Sequence, residues 1–112
     1  MSATNDFLAE TVLERKFQHG FRMQDTRPRI VCNDGFSMSI QASSGHYCSP
    51  RQDYLFQYSA VEIGFPSRRE ELLAEYAETP RALTKTVYGY VPVEVVDAVI
   101  EKHGGIKTWR YR

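Results

Sequence analysis

Apolar residues recur along this chain in two periods, and the switches between them mark the predicted elements. From Asp6 to Phe17 the spacing is helical: Leu8, Val12, Leu13 and Phe17 fall on one side, with Glu10, Glu14 and Arg15 on the other. Thr4, Asn5 or Asp6 could serve as its N-cap. The stretch from His19 to Pro28 is polar and punctuated by glycine, which reads as a connection. A period of two then takes over. Arg29-Ile30-Val31-Cys32 is β-prone, and Phe36 to Ala42 alternates so that Phe36, Met38, Ile40 and Ala42 face a core while Ser37, Ser39 and Gln41 face out. Asn33-Asp34-Gly35 between them suits a three-residue hairpin loop that closes with Gly35 at positive φ.

After a Ser43-Ser44-Gly45 break and the loop His46-Tyr47-Cys48-Ser49-Pro50-Arg51, a long strand is predicted from about Tyr54 to Phe65, with Val61, Ile63 and Phe65 on one face and Pro66 ending it. Ser67 and Glu70 have capping-box spacing. They predict a helix that carries Leu72, Leu73 and Tyr76 on one face and stops before Pro80. Thr84 to Val91 reads as a strand. Pro92 suits the first position of the next helix, whose buried stripe is Val95, Val96, Val99 and Ile100. Lys102-His103-Gly104-Gly105 is a stop signal, and Ile106 to Tyr111 a last short strand. Hairpins mixed with crossovers predict an α+β domain: a mostly antiparallel sheet with three helices packed mainly on one face.

Composition narrows the function classes. The 112 residues allow one hydrophobic core, so residues 1–112 are read as a single domain. Fourteen Lys and Arg balance fourteen Asp and Glu. A net charge of zero argues against a dedicated nucleic-acid binder, which needs a basic excess to neutralise phosphates. It argues equally against an acidic nucleic-acid mimic. No apolar run approaches the roughly 18–20 residues that span a bilayer, and the N-terminus lacks a signal-peptide core, so the expected compartment is the cytoplasm and no membrane contact is expected. Cys32 and Cys48 are then expected as thiols.

Reactive potential concentrates in one loop. His46 and Arg51 flank Cys48, and a neighbouring cation favours the thiolate that a nucleophile needs. Cys32, His46, Cys48 and His103 could be drawn together as a zinc site, but structural zinc normally shows close ligand pairs and only His46-x-Cys48 is close. We therefore expect no metal, no cofactor and no assigned catalytic residue. His46, Tyr47, Cys48 and Arg51 are the candidate ligand-binding residues, with Tyr47 offering a ring and Arg51 a guanidinium to an anionic group. Against this, Tyr47 could pack on the sheet and Arg51 pair with Asp53 or Glu62. Tyr54, Tyr58, Tyr88, Tyr90 and Trp109 supply further aromatic faces, and no Walker or Gly-x-Gly-x-x-Gly phosphate loop is present. The tail from Lys107 to Arg112 interleaves basic and aromatic residues as some single-strand binders do, though a terminal strand explains it as well.

Four stretches carry a resemblance. They are residues 27–38 (Arg27-Pro28-Arg29-Ile30-Val31-Cys32-Asn33-Asp34-Gly35-Phe36-Ser37-Met38), the loop from His46 to Arg51, Val61-Glu62-Ile63-Gly64-Phe65-Pro66-Ser67, and Tyr88-Gly89-Tyr90-Val91-Pro92 continuing through His103-Gly104-Gly105. Together they resemble a family of small uncharacterised proteins encoded by tailed bacteriophages and prophages. The resemblance covers roughly residues 27–106 as a core and leaves residues 1–26, the N-terminal helix and its connection, outside it. It implies an accessory protein working in the host cytoplasm by binding, antagonising a bacterial defence system by blocking a host protein or sequestering a nucleotide-like ligand. It brings no known activity and no catalytic residues. A small enzyme built on Cys48, or a virion or replication component, are the alternatives. A small domain with an edge strand is further expected to self-pair as a homo-oligomer.

Overall fold

The computed structural model describes residues 2–19 and 26–110, with side chains for 2–12 and 26–109. Its elements are α1 (Ala3–His19), β1 (Arg29–Cys32), β2 (Ser37–Gln41), β3 (Ala60–Gly64), β4 (Val87–Pro92), α2 (Val93–Lys102) and β5 (Ile106–Arg110). The strands form one five-stranded sheet in the order β4-β3-β2-β1-β5, and every neighbouring pair is antiparallel. The α+β class read from the sequence is the class observed.

The predicted hairpin forms as its residues dictate. Ile30 pairs with Met38 and Val31 with Ser37, which leaves Cys32 opposite Phe36 across Asn33-Asp34-Gly35. The Cys32 amide donates to the Phe36 carbonyl at 2.7 Å, and Gly35 sits at φ +92°. Phe36, Met38, Ile40 and Ala42 are all fully buried. They share one core with Val61, Ile63, Tyr88 and Val91 from the other strands, Phe7 and Leu8 from α1, and Val96, Val99 and Ile100 from α2.

The two helices are tied to each other end to side. The Asp97 carboxylate on α2 accepts from the Thr4 amide at 2.9 Å, the Thr4 hydroxyl at 2.6 Å and the Ser2 hydroxyl at 3.0 Å. A negative group thus sits where α1 exposes unpaired N–H groups and its positive dipole end. Ser2 accepts from the Asn5 amide, so the cap lies two residues before the earliest candidate. Leu8 and Val12 are buried as expected, Phe7 joins them, and Leu13 and Phe17 lie outside the described side chains. α2 begins after Pro92, which closes β4 and acts as N-cap. It ends at His103, followed by Gly104 at φ +88° and Gly105 at φ +89°. That left-handed pair turns the chain back into β5.

Three expectations require correction. There are two α-helices, not three: residues 67–79 form turns around one 3₁₀ turn at Ala74–Tyr76. Both capping-box residues are taken by distant partners. The Ser67 hydroxyl accepts from the Ser37 amide at 2.9 Å, and the Glu70 carboxylate faces Lys102 and His103. Ala77 then pairs with Tyr88, and the Glu78 amide donates to the Val87 carbonyl, so this segment finishes against β4. The long strand shrinks to Ala60–Gly64, because Tyr54 and Phe65 adopt left-handed φ values of 58° and 48°. Phe65 consequently leaves the face of Val61 and Ile63 and is exposed. The strand expected from Thr84 begins at Val87. In β5, Trp109 packs edge-on against Phe7 at 5.4 Å, so the aromatic ring of the tail is held against α1; Tyr111 and Arg112 lie outside the described residues.

Nothing lies within 4 Å of a Cβ added at Gly35, so a substitution there meets conformational strain alone. Gly35→Val should destabilise by roughly 1–2 kcal/mol, the cost of a β-branched residue at positive φ. Chemical denaturation of the variant against the parent measures it, and an unchanged midpoint would contradict the assignment.

Candidate functional site

The loop after β2 is held by its own polar side chains. The Ser43 hydroxyl lies 2.6 Å from His46 Nδ1 and accepts from the Gly45 amide. Asp53 accepts from both the amide and the hydroxyl of Ser44 at 3.0 Å. Ser49 pairs with Ala60 at the start of β3, next to a cis Ser49–Pro50 peptide. The Tyr47 amide donates to Glu62 Oε1 at 3.0 Å, and the Tyr47 carbonyl accepts from the Tyr90 amide at 3.0 Å. A segment that looked like a loop in sequence is therefore laid along the outer side of β4.

β4 is bent to receive it. Val61 pairs with Val91 and Ile63 with Tyr88, so two steps along β3 oppose three along β4. The extra residue is a bulge at Gly89-Tyr90, and Tyr90 has φ +53°. A bulge re-aims the side chain that it carries. Here it turns Tyr90 outward beside Tyr47, with the ring centroids 6.0 Å apart. Gly89 lets the two segments approach, since a Cβ there would stand 3.3 Å from the Tyr47 Cβ. The Arg51 guanidinium carbon lies 5.7 Å from the centre of the Tyr47 ring, within cation–π range. No carboxylate lies within ion-pair distance of Arg51 among the described residues, neither Asp53 nor Glu62. Tyr47 and Tyr90 are 45% and 47% exposed.

The four candidate residues are therefore split. Tyr47 and Arg51 come together on the surface, His46 turns to Ser43, and Cys48 turns inward and is 1% exposed. The Cys48 thiol donates to the Ser43 carbonyl at 3.2 Å. Burial, the largest influence, pushes that thiol above its ordinary range, against the opposing pull of the Ser43 bond and of Arg51 and Arg27. An activated nucleophile needs the reverse. Tyr90, named from sequence only as one of several further aromatic faces, and Gly89 stood outside the four candidate residues. A glycine between two tyrosines in a strand was the available signal, since glycine inside a strand often marks a bulge or a close backbone approach.

A second polar cluster lies where the hairpin loop meets the end of α2. His103 Nδ1 is 2.6 Å from Asp34 Oδ2 and its Nε2 is 2.7 Å from Glu70 Oε1, so each ring nitrogen has a carboxylate as its hydrogen-bond partner. Phe36 stacks on the imidazole at 4.1 Å. Lys102 reaches Glu70 at 3.0 Å, and Arg68 reaches Asp34 at 3.1 Å. The Phe36 amide bond, followed by His103, holds the Asp34 carboxyl below its usual range. Burial alone would raise Glu70, but its bonds from the Leu72 amide, His103 and Lys102 bring it below the usual range as well. With both ring nitrogens engaged and the Glu70 side chain 1% exposed, this cluster is a clamp within the fold. Among the described residues no group of three or more His, Cys, Asp or Glu is placed to hold a metal ion, so Cys32, His46, Cys48 and His103 are not gathered into a zinc site. No helix among them is long and apolar enough to cross a membrane.

Comparison with protein-family models, with curated proteins and with solved structures gives no match to this chain in any of the three.

Two measurements check this geometry. Burial raises the Cys32 thiol to about 11 and also raises Cys48, so neither should react with a thiol reagent in the native protein near pH 8, and both should react in denaturant. Fast native labelling of Cys48 would contradict its placement. The second concerns acid. Asp34 and Glu70 are depressed in the folded state, so their contribution is complete above the ordinary carboxylate range and is lost as pH falls through their folded values. The melting temperature should fall on acidification through and below that range. Glu70→Ala should cost about 3 kcal/mol at neutral pH, because it strips His103 and Lys102 of a buried partner, and should flatten the acid dependence.

Proposed function

We propose that this protein is a non-enzymatic binding module that engages a protein partner through the exposed face of Tyr47, Tyr90 and Arg51. The observation that carries this reading is the bulge in β4. A bulky residue at positive φ is unfavourable by about 1 kcal/mol or more, and such strain persists where the surrounding structure maintains it. Here the strained residue is a tyrosine turned away from the core beside a second tyrosine and an arginine without an acidic partner among the described residues. Tyrosine and arginine are the side chains that most often dominate protein interfaces, because each combines a large contact area with hydrogen bonding. Both rings are close to half exposed on an open surface, which suits a macromolecular partner better than a ligand enclosed in a pocket.

The biological setting of this reading comes from the resemblance of residues 27–106 to small phage-encoded proteins. On it, the module is an accessory protein of the host cytoplasm that blocks a host factor belonging to a defence system. The buried Cys48 thiol, with its raised pKa, favours binding over an enzyme built on that cysteine.

Expression in bacteria carrying a panel of defence systems, followed by measurement of phage growth, tests the proposal. The parent chain should restore growth in at least one strain. Tyr47→Ala with Tyr90→Ala, and separately Arg51→Ala, should lose that effect while keeping the parent melting temperature. Rescue that survives both variants would sink the proposal, as would absence of rescue in every strain.

A further inference from the structure

A cleft outside the aromatic face is formed mainly by the turns that precede β4 in the chain. It is about 480 Å³ in volume, open to solvent, and lined by Arg69 and residues 80–85. Small-ligand sites commonly fall in the range of about 300–1,000 Å³. Three of its seven lining residues, Arg69, Arg81 and Lys85, are cationic and none is acidic. The whole chain carries no net charge, so this is a local segregation of positive charge. The nearest described acidic contact is Glu71, which pairs with Arg69 at 2.7 Å and is itself exposed. Arg81 and Lys85 pair with no carboxylate among the described residues.

The lining loop is held in shape from behind. The Ala82 amide donates to the Thr79 carbonyl at 3.0 Å and the Lys85 amide to the Ala82 carbonyl at 2.8 Å, giving two successive turns. The hydroxyl of the buried Tyr88 donates to the Leu83 carbonyl, and the Thr79 amide donates to the Thr86 hydroxyl at 3.0 Å. These bonds leave the amides of Arg81, Leu83 and Thr84 without an acceptor among the described residues. The cleft is therefore lined by three cationic residues and Thr84, with Pro80, Ala82 and Leu83 as an apolar part, and its loop carries three amides that no acceptor among the described residues occupies. Arginine and lysine with backbone N–H groups are the standard recognition chemistry for phosphoryl oxygens.

We infer that this cleft binds a small phosphorylated molecule of nucleotide size. The phosphates lie on Arg81, Lys85 and Arg69, and the organic portion lies against Pro80 and Leu83. A single carboxylate would leave most of the positive lining unmatched, whereas a diphosphate matches it. The inference stands apart from the proposed partner face, with which it shares no residue.

ADP and inorganic pyrophosphate are the probes, followed through the backbone amide chemical shifts of the full chain. ADP should shift the amides of residues 80–85 saturably, with affinity that weakens as salt is raised. Arg81→Ala with Lys85→Ala should weaken ADP by at least about tenfold at unchanged melting temperature, the loss expected for two charge-assisted contacts. Tyr47→Ala with Tyr90→Ala should leave ADP binding intact, which separates this cleft from the partner face. Absence of a saturable shift at millimolar ADP, or a shift that the double variant retains, would overturn the inference. Pyrophosphate binding as tightly as ADP would overturn the part that places an organic group on Pro80 and Leu83.

Discussion

The imidazole of His103 is the point at which three separate segments of this chain are locked together. It stands at the end of α2, lies within hydrogen-bond distance of Asp34 in the β1–β2 hairpin loop and of Glu70 in the irregular stretch after β3, and stacks on Phe36 just before β2. Around it the backbone closes the same contact. Asn33 donates through its side chain to the Gly104 carbonyl at 2.6 Å, and its amide donates to the Gly105 carbonyl at 3.0 Å. The loop of the hairpin thus sits on the C-terminal end of the helix, where unpaired carbonyls and the negative dipole end favour donors. A buried ion network is weak evidence of net stability, but losing one member leaves buried charge uncompensated. The cluster therefore acts chiefly to specify one arrangement of these segments.

Docking of the hairpin on α2 has consequences at both edges of the sheet. It fixes where β5 leaves Gly105 and pairs with β1, through a register that shifts between Val31 and Cys32. On the other side, Glu70 in the clamp ties down the chain that crosses back toward β4 through Ala77 and Glu78. β4 is then bounded by that return on one stretch and by the Tyr47 loop on another. Both proposed binding surfaces lie on segments attached to β4: the aromatic pair at its bulge and the cationic cleft in the turns that precede it. A rigid strand carrying irregular loops is a common way to present recognition groups, because the loops adapt in sequence while the strand holds their position.

Much of this architecture was legible from local sequence. The hairpin was readable because its strict alternation and the glycine of its loop both act over a few residues, and no distant partner competes with them. The same holds for α2, bounded by Pro92 and the Gly104-Gly105 pair, and for β5. The candidate loop was legible in part. Tyr47 and Arg51 do lie side by side on the surface, whereas Cys48 and His46 turn away from them. Which of these side chains would turn toward the core was not legible, because nothing local says which side of the loop faces it.

What the sequence alone determined is the class of fold, the hairpin with its loop geometry and its buried face, and the ends of α2. These depend on propensity, periodicity and glycine or proline stereochemistry, all of which act between near neighbours. Only the tertiary structure decided the fate of Ser67 and Glu70, whose spacing is that of a helix start but whose side chains are claimed by Ser37, His103 and Lys102. It likewise decided that Phe65 would leave the core face, that Tyr90 would come to lie beside Tyr47, and that Arg69 would share a cleft with Arg81 and Lys85. In each case the residues brought together are far apart in the chain. The energy of their contact exists only once the sheet has brought them together, so it leaves no periodic trace in the sequence.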